Sequence, residues 1–351
     1  MTGLSGDTSV LLKAHGKSVT ELFKSLASSE KFNNVENYLI MDEFMKNIVI
    51  VGGSGARSSL KALEPVKDIR IQNIVTMFDS GGSTGYLRRK YGIYAIGDLR
   101  DRILAVSKNE ILKELSEERI EFENVANSVG NLIFLSALNR YGENYLDILK
   151  RLYETPENID FIPITSDVKC DANLVIKTNK GTLNGEASID SLNDENVRIE
   201  DISLDHNVKI NPKAYNAISK ADYIVFGPGD IYASILPNTL VDGFYDAMKN
   251  FKGKTILVTN IMRHVPETTG YNASDFIKVF EKRGIHLDDL IVNNKKLNVG
   301  SIKGKYTSFS GFIDADISGQ NIIVGDFIKE DSPYEHDPDK LRDALVNLIS
   351  R

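Results

Sequence analysis

The sequence predicts an α/β protein, a Rossmann-like three-layer sandwich with a mainly parallel sheet and a small β insertion. Three observations predict it. From Asn47 onward, apolar runs of strand length alternate with segments of helical periodicity. Runs such as Tyr223-Ile224-Val225-Phe226 and Thr255-Ile256-Leu257-Val258 are apolar on both faces, as a parallel strand buried between helix layers must be. Glycine clusters follow these runs, where open α/β sheets place their ligand-facing loops.

The elements follow in order. Residues 1–46 form an N-terminal appendage, in which Val19 to Leu26 and Leu39, Ile40, Phe44 and Met45 have helical spacing. One or two short helices are expected there, for packing or oligomerisation. The main domain, 47–351, is expected to hold strands at 47–52, 72–78, 159–165, 222–226, 254–260 and 289–293. Helices are expected at 58–64, 98–108, 129–141, 144–154, 212–220, 239–250 and 273–283. Residues 172–205 break the rhythm with polar–apolar alternation and read as inserted antiparallel strands. Short strands after 295 lead to a closing helix from Pro338 to Ile349, with Asp337 as its N-cap.

Composition narrows the function classes. The chain has 351 residues, 42% hydrophobic and 26% charged, which is ordinary for a soluble globular protein. A formal net charge of −7 argues against duplex nucleic acid as a partner, although Arg88, Arg89 and Lys90 could make a local basic site. The single cysteine, Cys170, allows no internal disulfide and no cysteine zinc cluster, which fits a reducing cytosol. No apolar stretch approaches the roughly 20 residues of a membrane span, and no secretory signal pattern opens the chain. A soluble, cytoplasmic protein without membrane or nucleic-acid partners is expected.

The chemistry concentrates in the loops. Gly52-Gly53-Ser54-Gly55-Ala56 follows the first strand and gives Gly53-x-Gly55-x-x-Ser58, close to a dinucleotide fingerprint but with serine at the third glycine. No Gly-Lys-Ser/Thr follows, so it is not a Walker A loop. A ligand-free tight turn is the competing reading. Asp79 ends the second strand, and Ser80-Gly81-Gly82-Ser83-Thr84-Gly85 then leads to Arg88-Arg89-Lys90. Carboxylate, hydroxyls and cations together suit an anionic ligand, against a solvated turn with arginines on a helix face. Gly97-Asp98-Leu99-Arg100 opens a helix. Asp98 suits an N-cap, whereas Arg100 opposes the helix dipole. Ser128-Val129-Gly130-Asn131 is either a serine cap or a helix start facing an anion. Gly227-Pro228-Gly229 through Tyr232, Ser234 and Asn238 makes a third glycine loop at a strand's carboxyl end. Thr259 to His264 makes a fourth loop, and its lone histidine suits a structural role. No His-x-x-x-His or cysteine pair is present, Gly53-Ser54-Gly55 and Gly82-Ser83-Thr84-Gly85 read as too short or misplaced for a nucleophile elbow, and Cys170 reads as packing.

Taken in order, these segments resemble the 2-phospho-L-lactate transferase (CofD-like) superfamily, and within it the gluconeogenesis-factor branch, whose members bind uridine-diphosphate sugars. The resemblance runs from about Asn47 to Ser350. Besides the loops above it rests on Asn184-Gly185-Glu186, Pro237-Asn238, Asn260-Ile261-Met262, Glu267-Thr268, Gly270-Tyr271 and His336-Asp337-Pro338. It implies a nucleotide or nucleotide-sugar ligand, with the diphosphate on loops 52–56 and 80–85. Arg88 and Arg100 would neutralise charge, and Asp79 would touch a ribose or a metal-bound water. Asn131 and Asn238 would supply directional hydrogen bonds, and Gly227 to Ser234 the opposite wall. In the transferase branch, aspartates near the second loop assist a divalent metal, which makes Asp79 a candidate Mg²⁺ ligand and Asp79 and Asp98 candidate catalytic groups. A homodimer is implied by the same analogy. Four departures stand out: Asp79-Ser80 replaces an aspartate pair, Asp101 replaces asparagine, Asn127 replaces histidine, and Pro266-Glu267-Thr268 replaces Gly-Glu-Thr. The missing carboxylate weakens the transferase reading, which stays open beside a nucleotide-sugar-binding regulator and a scaffold that recruits a partner through residues 1–46.

Overall fold

Ile48 to Val51 are wholly buried, because this strand lies at the middle of the sheet with a layer on each face. The computed structural model describes residues 45–192, 194–297 and 309–350. The expected N-terminal helices lie outside the described residues. Seven strands form one sheet: β1 (Lys46–Gly52), β2 (Ile69–Val75), β3 (Ile159–Pro163), β4 (Tyr223–Phe226), β5 (Lys254–Val258), β6 (Asp289–Asn293) and β7 (Ile322–Gly325). Their order is β7-β6-β5-β4-β1-β2-β3, and every neighbouring pair is parallel. The chain runs outward from β1 to β3 on one side, then returns to place β4 on the other side of β1. The strand order reverses between β1 and β4, which is where open α/β sheets leave a crevice for ligands.

Helices bound the sheet. Those that position the loops are α1 (Arg57–Leu63), α2 (Gly82–Tyr91), α3 (Gly97–Ala105), α4 (Glu110–Glu117) and α5 (Val129–Tyr141). The closing helix Pro338–Ile349 packs on α1, with Asp337 accepting from the N–H groups of Asp339 and Lys340 as its cap. The insertion is a three-stranded antiparallel sheet, ordered Gly181–Asn184, Leu174–Thr178, Ile199–Leu204.

Several boundaries differ from the sequence reading, each for a physical reason. β2 runs from Ile69 to Val75 in step with β1, so Thr76 to Phe78 are buried but outside the ladder. Apolar periodicity registers burial and cannot separate a strand from a buried connection. The second glycine cluster is not wholly a loop, since Gly82 already begins α2. Helix α4 and the hairpin Arg119–Phe122/Val125–Ser128 were not anticipated; both are largely exposed, and α4 is only eight residues long, with its apolar positions confined to Ile111, Leu112 and Leu115. The helix expected over 239–250 is shortened to Phe244–Asn250, because the chain is extended at Val241 after a short turn at Leu236–Leu240.

Candidate functional site

The loops after β1 and β4 meet backbone to backbone. A Cβ placed on Gly55 would lie 2.8 Å from Gly229 Cα and 2.9 Å from the Pro228 carbonyl oxygen. Ordinary carbon contacts are about 3.5–4.0 Å, so no side chain fits there. Gly53 is equally confined, between Ser234 Oγ at 2.7 Å and Asp98 Oδ2 at 2.8 Å from its would-be Cβ. The Gly227 N–H pairs with the Val51 carbonyl, the Gly227 carbonyl accepts from Ser59 Oγ, and the Gly229 N–H donates to Asn260 Oδ1. The sequence-chosen Gly52, Gly53, Ser54, Gly55, Gly227, Pro228, Gly229 and Ser234 thus share one place, the crevice between β1 and β4. Ala56 is buried at its floor.

Asp98 faces this crevice from the first turn of α3. Its Oδ1 accepts from the Ser54 N–H at 3.0 Å. The surrounding protein strips water from it, and Asp79 and Asp101 add like charge, so its carboxyl is pushed up to about 8. One turn along α3, Arg102 is 0% exposed and sits behind the Gly52 turn, its Nη2 3.6 Å from the Gly52 Cβ position. Burial lowers it to about 10 while Asp98 and Asp101 oppose that shift. Its Nη1 reaches Asn73 Oδ1 at 3.4 Å, and Nε and Nη2 have no hydrogen-bond partner among the described residues. A guanidinium this enclosed projects positive potential toward the glycine turn in front of it. Sequence reasoning missed Arg102, since an arginine in an amphipathic helix ordinarily faces water.

Asp79 lies on the neighbouring loop. Its Oδ1 accepts from the Gly81 N–H at 2.7 Å, fixing the entry to α2. Arg88 is buried and donates to the carbonyls of Phe78, Asp79 and Ala172. Its guanidinium is therefore committed to backbone, and it acts on the site by holding Asp79 in place. Ser80 joins the insertion: its Oγ accepts from the Ala187 N–H at 3.0 Å, and its N–H donates weakly to Glu186 Oε2 at 3.4 Å. Glu186 thus brings a carboxylate beside the position where the resemblance implied a second aspartate. The Asn184-Gly185-Glu186 segment is part of the resemblance, but its place beside Ser80 comes only from the fold, since it arrives from the far end of a hairpin.

The starts of α2, α3 and α5 converge. Ser83 Oγ accepts from the Ser128 N–H and from Asn131 Nδ2, and donates to Asn127 Oδ1. Asn131 Oδ1 accepts from Arg100 Nη1 at 2.8 Å, while Arg100 Nε and Nη2 both reach Asp101. Gly97, first residue of α3, rests on Thr84 of α2. Arg100, Asn131, Ser83, Gly82 and Gly97 are thereby drawn together, but each side-chain amide or hydroxyl is already engaged. Beside them Arg57, Lys61, Arg100, Lys113 and Arg119 line a recess of about 320 Å³. Burial and the charges of Arg57 and Lys113 hold the Lys61 ammonium below its usual range. Asp101 and Glu117 share the recess, and Arg57, Arg100 and Lys113 pair with Glu335, Asp101 and Glu110, just as Lys90 pairs with Glu123 at 2.6 Å.

Two expected ligand contacts lie elsewhere. Asn238 is wholly buried and donates to the carbonyls of Ser234 and Ile235. The Tyr232 hydroxyl meets the Tyr271 hydroxyl at 2.9 Å. Both shape the Gly227 loop from within. The fourth loop brings His264 to Asp230 and Glu267, a grouping that only the fold creates, since 34 residues separate the first pair. Among the described residues no helix is long and apolar enough to cross a membrane.

Comparison with known proteins agrees with the fold. The family described as 2-phospho-L-lactate transferase CofD matches residues 48–350. A Thermotoga maritima protein provisionally named gluconeogenesis factor is 32% identical, covering 88% of this chain and 100% of its own. The gluconeogenesis factor of Listeria innocua is 28% identical over 87% of this chain and 95% of its own. The crystal structure of a UPF0052-family protein from Bacillus halodurans superposes with a TM-score of 0.76 at 27% identity, covering 86% of this chain and 99% of that one. With the glycine loops in place at the strand-order reversal and nearly the whole chain matched, the protein belongs to the 2-phospho-L-lactate transferase CofD family.

Proposed function

We propose that this protein binds a nucleoside diphosphate, as a nucleotide sugar, in the crevice between β1 and β4. One observation carries the reading: the two glycine loops meet backbone to backbone at the reversal of strand order, with Ser234 and Asp98 beside Gly53, which is where open α/β sheets take their ligands. The buried Arg102 behind the first loop favours an anion in front of it. The same reading gives the protein a regulatory role in carbon or cell-envelope metabolism, in the cytoplasm; the relatives' name, gluconeogenesis factor, supports the link to carbon metabolism.

A transferase is the second reading, favoured by the Asp79–Asp98 pair. Asp98 is raised by burial and by the Asp79 charge, and a divalent cation between phosphate and these carboxylates would relieve that repulsion. On this reading Asp79 and Asp98 would hold Mg²⁺, with Glu186 brought to the same loop through the Ser80 N–H. The ion would supply charge neutralisation at a diphosphate. Asp79 is held for this by Arg88 and the Gly81 N–H, and Asp98 by the Ser54 N–H.

Thermal unfolding against uridine-diphosphate sugars, UDP, GDP, NAD and deazaflavins, each with and without Mg²⁺, tests both readings. A ligand at 100 times its Kd adds about 2.7 kcal/mol. A metal-independent shift with uridine-diphosphate sugars supports the binding protein. A Mg²⁺-dependent shift with GDP or a deazaflavin, followed by turnover, supports the transferase. No shift with any nucleotide overturns the crevice as a nucleotide site.

A further inference from the structure

The loops after β4 and β5 build a second cluster on the outer side of Gly229. Asp230 follows that glycine, His264 ends the short strand Met262–His264, and Glu267 follows in the next turn. One ligand atom from each residue lies within 4.8 Å of the others. His264 Nδ1 and Asp230 Oδ1 are 3.0 Å apart.

Glu267 makes this more than a cluster of acids. It is 1% exposed, and its Oε2 accepts from the N–H groups of Tyr232 at 2.8 Å and Ala233 at 3.3 Å. Its Oε1 is buried with no hydrogen-bond partner among the described residues. A buried carboxylate oxygen left without a partner is costly. Oε2 is held by backbone that no ligand needs to displace, so the carboxylate is already oriented.

We propose that Asp230, His264 and Glu267 hold a divalent first-row transition-metal ion, Zn²⁺ or a close equivalent, whether or not a nucleotide is bound. One imidazole nitrogen and two carboxylate oxygens form a donor set that suits such ions, whereas Mg²⁺ favours oxygen donors alone. The ion would take the place of the hydrogen between His264 Nδ1 and Asp230 Oδ1, and a neutral imidazole bound through Nδ1 carries its proton on Nε2 instead. Three protein donors leave a coordination position open to a further oxygen ligand. The Asp79–Asp98 pair is a separate place, built on β2 and α3, and this inference does not depend on it.

The test uses the full chain free of any affinity tag, stripped with a chelator and dialysed. Zn²⁺ is titrated in competition with a chromophoric chelator, Mn²⁺ and Mg²⁺ are run in parallel, and Co²⁺ loading is read by visible absorption. The expected result is one Zn²⁺ per chain, a Co²⁺ spectrum reporting mixed nitrogen and oxygen ligands, and at least tenfold weaker Zn²⁺ binding in Glu267→Gln. Asp230 has a side chain 38% exposed, so Asp230→Asn carries the same test should Glu267→Gln fail to fold. Failure to take up stoichiometric Zn²⁺ overturns the proposal. So does uptake that Asp230→Asn and His264→Ala leave unchanged, which would place the ion elsewhere.

Discussion

Substitution of Gly55 by alanine puts one methyl group where the two glycine loops touch. The new Cβ would lie 2.8 Å from Gly229 Cα and 2.9 Å from the Pro228 oxygen. Both are backbone atoms that no rotamer change can move. Restoring ordinary contact needs the loops to part by about 1 Å. Overpacking of this kind costs about 1–3 kcal/mol, which for a domain of this size lowers Tm by a few degrees. The functional effect is larger in proportion, because N–H groups displaced by about 1 Å lose their bonds to a diphosphate. Losing one charge-assisted bond of about 1.5–3 kcal/mol weakens binding at least tenfold. Calorimetric titration with the nucleotide identified by the thermal panel reads the affinity, and a melting curve reads the fold. Gly319→Ala is the control: its Cβ would meet only Ile322 Cδ1, at 3.8 Å, and both readouts should stay as in the parent. A Gly55→Ala protein that binds nucleotide as tightly as the parent would refute the assignment of these loops to the ligand.

Three further outcomes are expected. Arg88→Ala strands the carbonyls of Phe78, Asp79 and Ala172, so it should lower Tm by several degrees as well as weaken nucleotide binding; a purely functional effect would show the guanidinium reaching the ligand instead. Asp98→Asn keeps an acceptor for the Ser54 N–H while sparing the fold the proton uptake that burial, Asp79 and Asp101 impose on this carboxyl. It should raise Tm in metal-free buffer and abolish any Mg²⁺-dependent shift, and a lowered Tm would contradict this electrostatic account. His336 is buried and held down at about 4 from an ordinary 6.5. Its native pKa lies below the unfolded one, so unfolding takes up a proton and stability falls as pH drops through this window, by about 2 kcal/mol between pH 7 and 5. Denaturant titrations at both pH values should show that difference shrinking in His336→Gln; an unchanged difference would assign the acid sensitivity to other groups.

Much of the fold was legible because buried parallel strands carry their own signal. Ile48 to Val51 and Tyr223 to Phe226 are apolar on both faces, and glycine clusters punctuate their ends. Local pattern also located the helices Val129–Tyr141 and Pro212–Lys220 to the residue, each capped by a side chain, Ser128 and Asn211, that accepts from the first turn. The amphipathic helix Glu110–Glu117 and the exposed hairpin before Ser128 escaped notice, since elements resting lightly on the surface need no apolar run.

The chain order of residues determined which loops hold the glycines, hydroxyls and charged groups at the strand ends; only the tertiary structure decided what each side chain in them does. Arg88 and Asn238 have the right chemistry for a ligand, but the fold directs their donors to backbone carbonyls that would otherwise be buried without partners. Arg102 and Glu267 look like surface charges in the sequence, and the fold encloses both. Strand order alone brings Gly55 against Gly229, and Asp230 against His264 and Glu267. Periodicity and glycine placement are local properties of the chain, whereas burial, charge coupling and the meeting of distant loops arise only when the sheet assembles.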